Sequence, residues 1–188
     1  MATRTYTQTR RADATEHTRR AILDAAQQLF REEGELDPSL EQVAGRAGCS
    51  TRSIIRHFGS KQGLMEAAVA DATGAIAAER RVEPGDVDAA VRALVGHYER
   101  LGDEVMRWLG SAERYPLVRH VVEAGTRMHL EWVDAVFAPQ LEALPAAARR
   151  TRRAVLASLT DVYFWHLLRR REGLGRAATE TAILELAR

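Results

Sequence analysis

Residues 39–58 read SLEQVAGRAGCSTRSIIRHF, two short helical patterns joined at Ala47-Gly48-Cys49. Ser39 opens the first, where its hydroxyl can accept the amide of Gln42 while Gln42 reaches back, a capping box. Leu40, Val43, Ala44 and Ala47 give that helix one apolar face, and Gly48 supplies the sharp turn. Ser50 caps the second helix. Its Ile54 and Phe58 can lock against Val43, Ala44 and Ala47, leaving Thr51, Arg52, Ser53, Arg56 and His57 free to face outward. Two helices at this spacing are a helix-turn-helix, in which the first helix braces and the second enters a DNA major groove. Arg52 and Arg56 are four apart and share a face, and a guanidinium fork matches guanine O6 and N7. The same pattern also fits a plain helical hairpin with a solvated polar side.

Charge weighs between these two readings. The 188 residues carry 27 basic and 26 acidic side chains, a net charge of +1, so bulk charge announces no nucleic acid. Its distribution is uneven. Residues 46–61 hold Arg46, Arg52, Arg56 and Lys61 with no acid, whereas 24–41 hold Asp24, Glu32, Glu33, Glu35, Asp37 and Glu41 against Arg31 alone. Lys61 is the one lysine beside 26 arginines. It follows Ser60 at the start of a helix, where an ammonium and free amides both attract a phosphate.

Outward from this segment the pattern stays helical. Ile22, Ala25, Ala26, Leu29 and Phe30 form one stripe of a preceding helix, with Gly34 after its end. Further helices are expected at about 60–81, 86–101, 104–109, 115–137, 145–171 and 176–187. No alternating strand pattern and no repeat appears, so the fold class is all-α, with about nine helices. Residues 1–14 are expected as a flexible arm, 15–62 as the helix-turn-helix domain and 63–188 as a helical regulatory and dimerisation domain. No run approaches the roughly 18 apolar residues of a membrane span, and the first residues hold no apolar signal core. With one cysteine, Cys49, and thus no internal disulfide, this points to a cytoplasmic protein. Cys49 is expected as a small packed hydrophobe rather than a redox sensor.

Chemistry of other kinds finds no footing. Ser158, Asp161 and His166 fall on one predicted helix at a spacing that cannot form a triad, and His129 and Glu131 point apart. No glycine-rich phosphate loop and no metal-ligand spacing is present, so neither cofactor, metal nor enzymatic activity is expected.

The run from Arg20-Ala21-Ile22-Leu23-Asp24-Ala25-Ala26 through Leu29-Phe30, Gly34, Ser39–Ala44, Ala47–Ser50 and His57–Lys61 to Leu64 resembles the TetR-type transcriptional regulators. The likeness covers about residues 15–70. It implies DNA contacts from Ser39, Ser50, Thr51, Arg52, Ser53, Ile55, Arg56 and His57, with Lys61 on a phosphate. Two positions depart from the pattern: Ile55 stands where a tyrosine is frequent, and Arg52 where a small residue is. Ile55 cannot donate to a phosphate, and Arg52 either replaces that contact or reads a base.

The resemblance also implies an effector pocket and a dimer. By position, Tyr98, Met106, Trp108, His120, Met128 and Trp132 are the candidates to line the pocket, although such residues serve equally as core. Leu156, Leu159, Tyr163, Leu167, Ile183 and Leu186 are the candidates for a four-helix interface between two copies. The expected function is a homodimeric repressor on a palindromic operator of double-stranded DNA, released by a small hydrophobic or aromatic ligand. Alternatives are an activator or ligand-independent regulator of the same fold, or an all-α enzyme or carrier with a scaffold hairpin.

Overall fold

The computed structural model describes residues 2–31 and 34–188, with side chains from residue 14 onward. Among them the chain forms ten α-helices and no strand: α1 (Ala2–Arg31), α2 (Leu40–Ala47), α3 (Thr51–Phe58), α4 (Lys61–Glu79), α5 (Val87–Ser111), α6 (Pro116–Val136), α7 (Ala138–Glu142), α8 (Ala146–Leu159), α9 (Val162–His166) and α10 (Arg176–Ala187). A π-helical turn, Leu167–Arg171, continues α9. The all-α class read from the sequence is correct. The helix count changes because the helices expected at 86–101 and 104–109 join as α5, α7 forms, and the segment expected as one helix over 145–171 divides. Thr160 ends α8, and the Asp161 carboxylate caps α9 by accepting the Tyr163 amide at 2.9 Å.

Two compact units result, Met1–Ala72 and Thr73–Arg188. The division falls inside α4 rather than at residue 62, because Leu64, Met65, Ala68 and Val69 are buried with the first unit. Helix α1 also takes in most of the stretch expected as an arm. No glycine or proline interrupts residues 2–31, so nothing stops the helix from propagating. The side chains of Arg4, Arg10 and Arg11, and Glu32 and Glu33 from the acidic cluster, lie outside the described residues.

In the first unit the α1 stripe Ile22, Leu23, Ala25, Ala26 and Leu29 packs with Val43, Ala44, Ile54 and Leu64. Polar ties fix α1 against the middle of α4. Arg20 donates to Asp24 at 2.8 Å and to Asp71 at 2.7 Å, and Gln27 Nε2 donates to Asp71 at 2.9 Å and to the Ala68 carbonyl at 3.0 Å. The Arg20 hydrogen bond holds the Asp71 carboxyl below its ordinary range.

The second unit is built around α5. Val87, Ala90, Val91, Leu94, Val95 and Tyr98 line its inner side and meet Trp132, Val133, Val136 and Phe137 from α6 and its end, with Leu156, Trp165 and Ile183. Helix α5 runs unbroken through Gly102, where the expected pattern had a gap. The Trp165 ring lies against Gly102, so the glycine makes room for a neighbour instead of ending the helix. On the outer side Glu99 accepts from Trp165 Nε1 at 2.9 Å and from Arg169 at 2.6 and 2.8 Å, while Arg170 grips Asp103 at 2.9 Å. Hydrogen bonding to Arg169 pulls the Glu99 carboxyl down to about 2. The π-helical turn thus presents consecutive arginines to two carboxylates four residues apart on α5.

Candidate nucleic-acid interface

The capping box at Ser39 forms as expected: the Gln42 amide donates to Ser39 Oγ at 3.2 Å, and the Ser39 amide donates to Gln42 Oε1 at 2.7 Å. Gly48 takes φ 65°, the left-handed conformation that turns the chain between α2 and α3. Ser50 Oγ accepts the Ser53 amide at 3.2 Å and starts α3. One side of this eight-residue helix is anchored by Ile54, which is fully buried. The opposite side exposes Arg52, Ile55 and Arg56. Thr51 and Ser53 are half-buried at its edges, and Arg56 donates to Ser53 Oγ at 3.3 Å. The arrangement therefore holds a helix at a fixed angle by caps and one apolar anchor, with a cationic face outward.

His57 is placed differently from Arg52 and Arg56. Its ring is half-buried beside Phe58, with Nε2 turned out of solvent and meeting no hydrogen-bond partner. Phe58 in turn lies under the Arg19 guanidinium of α1, 5.5 Å from the ring centroid. Lys61 stands first in α4 and donates to Asp37 at 2.8 Å, while Ser60 Oγ caps the same helix by accepting the Gly63 amide at 2.9 Å. Cys49 is half-buried, and burial pushes its thiol pKa up, away from the reactive thiolate.

An open cleft of about 920 Å³ runs beside α3, lined by His17, Thr18 and Ala21 of α1 together with Arg52, Ser53 and Arg56. The α1 contribution escaped the sequence reading. Its one signal was local: His17 and Ala21 are four apart, on a strip adjoining the apolar stripe.

The six pocket candidates are not a single cluster. Tyr98 and Trp132 are core residues; the Tyr98 hydroxyl donates to the Thr160 carbonyl and the Trp132 Nε1 to the Arg80 carbonyl, each at 3.0 Å. Met106, Trp108, His120 and Met128 are half-buried. The interface candidates also divide. Leu156 and Ile183 are 0% and 1% exposed within one chain, so their side chains fill its own core and have no surface for a second copy. That part of the expected interface is corrected: the buried stripes of α8 and α10 face α5 and α6. Leu159 is half-buried, while Tyr163, Leu167 and Leu186 are exposed, joined by Val155.

Residues 22–68 match the family model for bacterial regulatory proteins of the tetR family. Over 154 residues the chain is 31% identical to the HTH-type transcriptional regulator BetI of Paraburkholderia xenovorans (strain LB400), covering 76% of this chain and 77% of that one. The chain belongs to the TetR family. The BetI regulator of Paraburkholderia phytofirmans is 30% identical over 155 residues, again 76% of this chain and 77% of that one. Among solved structures, a transcriptional regulator of Streptomyces coelicolor A3(2) superposes with a TM-score of 0.58 at 26% identity, over 90% of this chain and 98% of that one. A Rhodococcus regulator shares the fold, with a TM-score of 0.56 at 20% identity over 92% and 93% of the two chains. This TetR-family transcriptional regulator thus carries the family's helix-turn-helix DNA-binding domain over α1 to α4.

Proposed function

We propose that this regulator is a repressor that binds a palindromic operator as a homodimer, with the two α3 helices in successive major grooves. The observation that carries the reading is the division of α3, with Ile54 fully buried and Arg52, Ile55 and Arg56 exposed on a doubly capped helix. Arg52 and Arg56 are assigned to base edges or adjacent phosphates and Ile55 to an apolar contact such as a thymine methyl. Ser39, Ser50, Thr51, Ser53 and Lys61 are assigned to the backbone. His57, with Nε2 turned inward, supports this face from behind. Self-association is supported by Val155, Tyr163, Leu167 and Leu186, large apolar side chains left exposed late in the chain.

Release follows if a small hydrophobic or aromatic ligand binds the Thr73–Arg188 unit more tightly in a DNA-incompetent state than in the competent one. The test is a mobility shift and footprint on DNA upstream of the protein's own gene and its neighbours, at low salt. A protected inverted repeat of two half-sites is expected, and a reporter should fall when the protein is supplied. A folded, dimeric protein that protects no specific site refutes the operator reading, while a reporter that rises makes the protein an activator.

A further inference from the structure

Arg80 follows the last turn of α4 and is 2% exposed. A guanidinium keeps its charge even when buried, so this position needs either an anion or a strong substitute for one. The side chains that touch its guanidinium are neutral. The Cζ lies 4.4 Å from the centroid of the Trp132 ring, and Nη2 donates to His129 Nδ1 at 3.3 Å. No carboxylate bonds to it among the described residues: the adjacent Glu79 is taken by Arg100. Arg80 Nε is buried without a partner.

The His129 side of the cluster is internally satisfied. Because His129 accepts at Nδ1, its proton sits on Nε2, which faces the Ala157 carbonyl at 3.2 Å and Thr160 Oγ1 at 3.3 Å. Thr160 Oγ1 passes its own proton to the Leu156 carbonyl at 2.7 Å. Burial and the Arg80 charge both keep His129 neutral. A second unpartnered atom belongs to His97 of α5, 4% exposed, whose Nδ1 meets nothing. A buried cation and a buried imidazole thus each retain an unused polar atom, in an apolar setting of Tyr98, Trp132 and Val133.

We propose that Arg80, together with the unpartnered His97 of α5, is an anion-binding centre for the carboxylate of a small effector with an apolar or aromatic body. The assignment rests on the proposed effector-receiving role of the Thr73–Arg188 unit. A carboxylate accepts best from the Nε–H and an Nη–H of one fork, and Nε is the prong left unpaired. His97 in its Nδ1–H tautomer adds a third donor. The same charge rejects a cationic effector.

The test uses the full chain without DNA, reading tryptophan fluorescence and thermal midpoint. Acetate, phenylacetate and benzoate are titrated against neutral benzamide and cationic phenyltrimethylammonium at constant ionic strength. A saturable response to at least one carboxylate, absent with the neutral and cationic compounds, is expected. Arg80→Met should weaken it at least about tenfold, and Arg80→Lys, which keeps the charge but loses the fork, should weaken it also. In the absence of carboxylate, Arg80→Met should melt no lower than the parent, because an unpaired buried charge is replaced by an apolar side chain of similar length. Three results overturn the assignment: no saturable carboxylate response, a response indifferent to both substitutions, or an Arg80→Met midpoint several degrees below the parent, which makes Arg80 a structural stack on Trp132. A carboxylate that binds through Arg80 without changing operator affinity removes the release reading and leaves the anion centre standing.

Discussion

Lys61 Nζ lies 2.8 Å from Asp37 Oδ1, so the one lysine of the chain begins α4 already holding a carboxylate. Asp37 is exposed and Lys61 half-buried at the surface, and such a pair contributes about 0–1 kcal/mol. A DNA phosphate therefore competes on nearly even terms with Asp37 for the same ammonium. Lys61→Ala should weaken binding to all sequences alike and flatten the salt dependence by about one phosphate per subunit. Asp37→Asn should do the reverse, tightening binding without altering preference. Mobility shifts across a salt series on operator and random DNA check both. A changed sequence preference in either variant would remove Lys61 from the backbone contacts.

Arg52 is exposed on α3 and forms no ion pair with an acidic residue among the described ones, so its guanidinium is ready for DNA. Arg52→Ala should relax preference at one position per half-site, at about 1–3 kcal/mol per contact. Selection of binding sites from a randomised pool checks this. A uniform loss of affinity at unchanged preference would move Arg52 to the phosphates, the role opened by Ile55.

The helix-turn-helix was legible because its information is local. The caps at Ser39 and Ser50, the left-handed Gly48 and the apolar face of α2 each act over about four residues or fewer. The second unit was legible in its helices and less so in its packing. Gly102 reads as a helix breaker until Trp165, 63 positions later, is seen to occupy the missing Cβ. The Glu99–Arg169 pair spans 70 residues, and no spacing rule reaches that far. Leu156 and Ile183 looked like interface residues because an apolar stripe says only that it is buried, not against which chain. Arg80 was invisible for a related reason, since a charged residue after an apolar helix reads as its solvated end.

Two glycines of α5 should respond oppositely to alanine. At Gly102 a Cβ would collide with the Trp165 ring, which is fully buried and cannot retreat, so Gly102→Ala should cost about 1–3 kcal/mol. At Gly110 nothing lies within 4 Å, and Gly110→Ala should stabilise by up to about 1 kcal/mol through helix propensity. Urea denaturation of the three proteins checks the pair. A neutral Gly102→Ala would mean that α9 shifts freely on α5.

Exposed Leu167 and Leu186 should matter to assembly and little to the fold. Leu167→Glu and Leu186→Glu should shift a dimer toward monomer at unchanged helicity, whereas Leu156→Glu should unfold the chain by burying an unpaired charge. Sedimentation velocity and circular dichroism separate the two classes. Dimers that survive both surface substitutions would place the interface elsewhere.

The pH dependence of stability should begin at His97. Burial, aided by the Arg80 charge, holds this imidazole neutral down to about 4, against 6.5 in the unfolded chain. Between those values the unfolded state binds the extra proton, so stability is complete above about pH 6.5 and falls as pH drops toward 4. The loss is on the order of 3 kcal/mol. Glu99, held at about 2 by Arg169, has the same sign in a lower window, losing its contribution from about pH 4.5 downward. His97→Leu should lessen the loss in the upper window, to which the buried His129 also contributes, and leave the lower one, because the imidazole gives up no hydrogen bond from Nδ1 on removal. Thermal midpoints at half-unit steps from pH 7.5 to about 3 read both windows. A parent protein with a level midpoint between pH 6.5 and 5 would show that His97 takes up its proton in the folded state without cost, and that the Arg80 charge is screened from it.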